Sequence, residues 1–203
     1  LGSVPDLVIP EMFPFYSSLV NVHFPLTIAC LALMSSVFIV VFRPGSTDEP
    51  SLNNGGLLVG IASFGLSLLY PQALVPFGLA SVGLVGLRVI RQRRISVRDI
   101  RWLSVIVLPA LPMAAYYFAI VNYNPAAAEW NRQNITPSPS PFILMVGLGV
   151  PLVMAIPAIA RSIRRFEPDG DQFMLVWFVM MLVAMYLPTN TQRRFAVAMM
   201  IPI

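Results

Sequence analysis

From His23 to Phe42 the chain runs through HFPLTIACLALMSSVFIVVF without one Asp, Glu, Lys or Arg, and several later stretches repeat the pattern. An apolar run of about 17–25 residues, coiled as a helix, matches the hydrocarbon thickness of a bilayer. Lipid offers no partners to backbone N–H and C=O groups, so a crossing segment satisfies its own, as a helix or within a closed barrel. These runs are continuous and do not alternate, which excludes a barrel. Composition agrees: 57% of the residues are hydrophobic and 11% charged, where a soluble domain carries roughly 25% charged residues to wet its surface. The expected fold is an all-α integral membrane protein, a bundle of about six or seven transmembrane helices.

Proline and polar residues divide the runs. Residues 1–22 are apolar but broken by Pro5, Pro10 and Pro14, so they read as an interfacial or re-entrant segment, not a regular helix. The spacing then predicts helices over residues 23–42, 55–69, 72–90, 102–121, 142–160 and 172–187, with a truncated seventh over 195–203. The run from Gly55 to Leu87 is too long for one span, and Tyr70-Pro71-Gln72 divides it, with Pro71 opening the third helix. Residues 122–141, NYNPAAAEWNRQNITPSPSP, form the longest polar linker. The chain opens at Leu1 and stops inside an apolar segment at Ile203, and is read as part of a longer protein forming a single transmembrane domain.

All 13 basic residues are arginine. The connectors 43–54, 88–101 and 161–171 fall on one side of the expected bundle and hold all of them except Arg132, Arg193 and Arg194. The positive-inside rule makes that side cytoplasmic, in a bacterial inner membrane. No interleaved basic and aromatic surface is present, so nucleic acid is not an expected partner. Membrane lipids are.

The outer side collects the unusual polar groups: Asn21, His23, Tyr70, Gln72, Glu129, Trp130, Asn131, Arg132, Gln133, Asn134 and Gln192-Arg193-Arg194, with Asp6 and Glu11. Arg193 and Arg194 break the charge bias and precede an apolar segment. Paired guanidiniums there suit a phosphate or diphosphate, since the planar fork bonds two oxygens at once; the alternative is snorkelling to headgroups. His23, the single histidine, is read as a helix-entry residue bonded to a neighbour, or as a base, a metal ligand or an axial pigment ligand. The outer acids read as solvated loop charges. The Met-rich stretches (Met174, Met180, Met181, Met185, Met199, Met200) are packing or lipid-facing residues. No Walker loop, dinucleotide fingerprint, metal-spaced Cys/His cluster or nucleophile elbow occurs, so no metal or resident cofactor is expected.

Four sequence elements carry a resemblance. They are Asn21-Val22-His23-Phe24 at a helix start, the Tyr70-Pro71 break, LPALPMAAYYF followed by NPAAAEWNRQNITPSPSP, and YLPTNTQRRF before an apolar segment. Together they resemble the later half of large Chloroflexi-type bacterial membrane proteins that look like GT-C glycosyltransferases. The resemblance implies transfer of a sugar from a polyprenyl-phosphate donor on the outer face. It also implies that Arg193 and Arg194, beside Gln192, contact the lipid-linked phosphate, and that the 122–141 linker borders the groove. The acidic motif of that family lies in its first outer loop, and nothing in this sequence matches it. Two other classes stand beside this reading. One is a non-catalytic accessory subunit of a photosynthetic or respiratory membrane complex, its partners being other membrane subunits. The other is a transporter, for which the split at Pro71 resembles a broken helix.

Overall fold

The computed structural model describes residues 22–52, 55–167 and 170–203. The Pro-rich N-terminal segment, with Asp6, Glu11 and Asn21, lies outside the described residues. Among the described residues there are seven α-helices: α1 His23–Phe42, α2 Gly56–Leu69, α3 Leu74–Gln92, α4 Val97–Tyr123, α5 Pro125–Gln133, α6 Pro141–Arg165 and α7 Gly170–Met185. Short 3-10 turns occupy Pro71–Ala73 and Gln192–Ala196. Among the described residues the fold is all-helical, and four helical stretches are long and apolar enough to cross a membrane: α1, Pro71–Gln92, α4 and α6. Helices α2 and α7 are apolar but have only 14 and 16 residues. At about 1.5 Å per residue they fall short of a ~30 Å hydrocarbon core.

Contacts at the helix termini define two ends. At one, the C-terminal carbonyls of α1 accept from Arg88 of α3 and Arg98 of α4: Arg88 Nη1 donates to Phe42 O at 3.3 Å and Arg98 Nη2 to Val41 O at 2.6 Å. Arg91 reaches the Phe166 carbonyl just beyond α6, and Arg161 pairs with Asp171 of α7 at 3.6 Å. At the other end His23 stacks on Tyr70, ring centroids 5.5 Å apart. The start of α1 and the end of α2 therefore meet at one end, while the end of α1 and the end of α3 meet at the other. Helices α2 and α3 are antiparallel, folded at Tyr70-Pro71-Gln72. The arginines outside Arg132, Arg193 and Arg194 gather at a single end.

A ring cluster packs α1, α3 and α7 together. Phe38, Phe77 and Trp177 are fully buried, with Phe38–Phe77 centroids at 5.7 Å and Phe77–Trp177 at 5.2 Å in edge-to-face geometry. In lipid, where tails are as apolar as leucine, such van der Waals fit and interhelical hydrogen bonds hold helices together. Ser63 of α2 supplies one such bond, donating to Ile106 O of α4 at 2.5 Å.

The structure corrects several sequence boundaries. Residues 88–92 and 97–101 are helical, so the expected connector 88–101 shrinks to residues 93–96. Likewise α6 continues through Arg161 to Arg165, trimming the 161–171 loop. Pro71 opens a 3-10 turn, and the helix begins at Leu74. The 122–141 linker contains α5. The expected seventh helix over 195–203 is not one: after the 3-10 turn the backbone leaves helical space at Val197 (φ −55°, ψ 130°) and continues as turns. Phe195 through Met199 are nevertheless buried, and Met199 N donates to Ala196 O and Ile201 N to Ala198 O. Irregular backbone at this depth is tolerated because protein surrounds it.

Candidate functional site

At the end opposite the arginine cluster, a cavity of about 530 Å³ opens between the start of α1, the Tyr70 turn, the ends of α4 and α5, and the Gln192–Ala196 turn. Its polar wall is His23, Tyr70, Gln72, Tyr117, Trp130, Asn131 and Arg194, with the Tyr117 hydroxyl donating to Leu68 O at 3.3 Å; Leu69, Val75, Val121 and Phe195 are among the apolar residues.

Each polar group arrives there for a local reason. Asn124 caps α5, its Oδ1 accepting from Ala126 N at 3.0 Å and Ala127 N at 3.2 Å, while Pro125 occupies the first helical position. Both are favoured helix-start residues. The cap sets the direction of α5 and so brings Trp130 and Asn131 to the cavity. The chain after α5 is laced to the segment before Arg193. Thr136 N donates to Asn190 O at 2.7 Å and Arg193 N to Thr136 O at 3.0 Å. Gln192 donates to Leu187 O at 2.7 Å and accepts from Ser138 N at 3.1 Å. Tyr186 donates its hydroxyl to Pro139 O at 3.0 Å. This lacing holds Arg194 over the cavity, where its Nη2 donates to Asn134 Oδ1 at 2.8 Å.

His23, Tyr70, Gln72, Trp130 and Arg194, expected from the sequence to share the outer face, thus converge on one concavity. Asn134 stands behind, orienting Arg194. Four expected site residues play other parts. Gln192 is consumed by its two bonds to the loops. Glu129 and Arg132 pair with each other along exposed α5, at 2.9 Å, and do not line the cavity. The hydrogen bond from Arg132 holds the Glu129 carboxyl below the usual range, with Gln133 adding to it, and Glu129 in turn raises Arg132. Arg193 lies outside the cavity wall.

Among the described residues, the side chains of Gln72, Trp130 and Asn131 make no hydrogen bond, His23 makes only ring contacts, and Arg194 bonds only Asn134. The cavity therefore presents amide, indole, imidazole and guanidinium groups together, and among the described residues no carboxylate lines it. A guanidinium has five N–H donors, so most of those on Arg194 remain for a ligand. The arrangement can bind an anionic oxygen group.

A larger cavity, about 700 Å³, lies between α2 and α4 nearer the arginine-rich end. Among the described residues only Ser51 and Ser104 interrupt its apolar wall and no charged group lines it.

The sequence reading missed a third constellation, at the arginine-rich end. Asp99, with 2% of its side chain exposed, sits 3.2 Å from Arg88 Nε and 4.0 Å from Arg98 Nε. Both guanidiniums also lie over the Phe42 ring, at 5.4 and 5.5 Å. The signal was one acid, Asp99, within the arginine-rich stretch 88–101. The bonds to Val41 O and Phe42 O make this cluster a clamp on the end of α1.

No protein family matches the sequence, and comparison with curated proteins and with solved structures finds no match either.

Proposed function

We propose that this chain is the carrier-binding portion of a membrane-embedded glycosyltransferase of GT-C type, with the cavity around Arg194 receiving the phosphate of a polyprenyl-linked sugar donor. The observation that carries the reading is the position of Arg194: a guanidinium held by Asn134 over a cavity that the side chains of Gln72, Trp130 and Asn131 also line. A fixed cation at that place stabilises the negative charge that develops on the departing phosphate when an acceptor hydroxyl attacks the anomeric carbon. The base for that hydroxyl comes from outside the described residues, since no carboxylate lines the cavity. Helices α2 and α7 complete crossings together with the turns that follow them, giving six crossings. The arginine-rich end is cytoplasmic in a bacterial inner membrane, so the cavity faces outward.

The test is binding of a polyprenyl phosphate to the protein in nanodiscs. Arg194→Ala is expected to weaken binding by about 1.5–3 kcal/mol, the range for a charge-assisted hydrogen bond. Arg194→Lys recovers only part, because the fork is lost. Equal binding by wild type and Arg194→Ala refutes the reading.

A second reading rests on its own observation. In the most apolar window of α4 only 6% of residues are buried, and in that of α6 only 17%, leaving faces that lipid or another membrane subunit covers. An accessory subunit would copurify with its partners through those faces; the isolated chain would bind no lipid phosphate.

A further inference from the structure

We propose that the ends of α3 and α6 form a binding site for an anionic lipid whose headgroup joins two phosphates through one glycerol. The site stands apart from the Arg194 cavity, at the opposite end of the bundle. Arg91 donates to the Phe166 carbonyl and lies over the Phe166 ring, 5.5 Å from its centroid, so it ties the end of α3 to the end of α6. Arg93 and Arg94 follow on one side of that tie, and Arg164 precedes it on the other. All three are exposed, and among the described residues none of them makes a hydrogen bond or an ion pair. The described carboxylates at this end are already engaged: Asp99 by Arg88, Glu49 by Arg101, Asp171 by Arg161 and Glu167 by Arg165, while Asp48 accepts from Ser46. The patch therefore keeps positive charge that an anion can neutralise.

Its depth and its apolar neighbours point to a lipid. The stretch Pro71–Gln92 has 22 residues and rises about 33 Å, slightly more than a ~30 Å hydrocarbon core. Residues 93–96, Arg-Arg-Ile-Ser, therefore turn at headgroup depth. Ile90 and Ile95, 74% and 67% exposed, stand among these arginines. Acyl carbons just inside the phosphate layer cover such side chains, while guanidiniums beside them reach the phosphates. The backbone adds a second observation. Arg93 ends α3 at φ 51°, ψ 27°, in the left-handed region where glycine is the usual residue. Glycine would make that turn at less cost, so what Arg93 contributes is its guanidinium. Two phosphates suit the site better than one because the cations come from two helices. With one phosphate held by Arg93 and Arg94, the other meets Arg164 as an intramolecular event.

The experiment titrates cardiolipin, phosphatidylglycerol and inorganic pyrophosphate against the full chain in neutral detergent, with bound lipid counted by native mass spectrometry. Wild type is expected to bind cardiolipin about tenfold more tightly than phosphatidylglycerol, with affinity falling as salt is raised, and pyrophosphate is not expected to displace it. Arg93→Gly and Arg164→Ala should each weaken cardiolipin roughly tenfold, the loss of one charge-assisted contact. Arg93→Gly also relieves the left-handed backbone, so its unfolding midpoint should hold or rise, which separates lost binding from misfolding. Arg43→Ala removes an equal charge from the exposed end of α1, away from the α3–α6 tie, and should leave cardiolipin binding unchanged. Cardiolipin bound equally by wild type and by the Arg93 and Arg164 variants overturns the site. An equal loss in Arg43→Ala shows bulk charge alone and overturns it too. Equal affinity for cardiolipin and phosphatidylglycerol overturns the two-phosphate selection, and displacement by pyrophosphate at matched concentration assigns the patch to free phosphate instead of lipid.

Discussion

Removing the Asp99 carboxylate is the most informative perturbation of the fold. Asp99 is nearly buried, and the Arg88 and Arg98 side chains are 12% exposed. Two unit charges 4 Å apart attract by about 4 kcal/mol at an effective dielectric constant of 20, before the cost of desolvation is subtracted. Deleting one member leaves the others charged and largely dry, which typically costs about 3–5 kcal/mol. Here the arginines cannot simply swing to water, because Arg98 is tied to the Val41 and Ser46 carbonyls and Arg88 to that of Phe42. Asp99→Ala is therefore expected to destabilise the protein by about 3–5 kcal/mol. Asp99→Asn keeps an acceptor for Arg88 but loses the charge, so about 1.5–3 kcal/mol is expected. Unfolding in mixed micelles, followed by far-ultraviolet circular dichroism during detergent titration, reads both. Neither loss should shrink much with added salt, since screening acts weakly on a buried pair. Asp99→Ala within about 1 kcal/mol of wild type, the range of exposed pairs, would show that water reaches the cluster and refute the argument.

Two further outcomes follow from backbone geometry and topology. Gly149 interrupts α6 at φ 43°, ψ −122°, where an L side chain is strained, so Gly149→Ala should lower stability by about 1 kcal/mol or more in the same titration; an unchanged midpoint would mean α6 straightens at no cost. With Cys30 replaced by serine, a cysteine at Arg94 should resist an impermeant thiol reagent in intact cells while one at Thr189 reacts. Labelling at Arg94 would invert the proposed orientation.

Much of the architecture was legible because lipid simplifies the problem. Charge-free runs such as 23–42 can only be helices, and Pro71, which lacks an N–H, forces the break that the structure shows. Boundaries at the arginine-rich end were misplaced because arginine is a good helix former. A charged stretch reads as a loop, although α3 and α4 run through most of it. Helix α5 was overlooked inside a polar linker, yet its Asn124-Pro125 start followed by three alanines is a local signal strong enough to have found it. The seventh segment failed in the opposite sense: apolar composition indicates burial, and Phe195 to Met199 are buried, but nothing local specifies whether a short buried segment coils regularly.

Local chemistry determined which residues are apolar enough to enter lipid, where the backbone must turn, and how the arginines divide between the two ends. Tertiary structure alone decided which of the polar groups expected on the outer face share a cavity. His23, Tyr70, Trp130 and Arg194 come from four separate segments, and no periodicity relates them. Their meeting depends on the lacing of Thr136 to Asn190 and of Ser138 to Gln192. The same holds for Asp99: its charge is plain in the sequence, but its burial exists only once α1, α3 and α4 end together. Long-range contacts between separate helices carry no sequence period, so they become visible only in the packed chain.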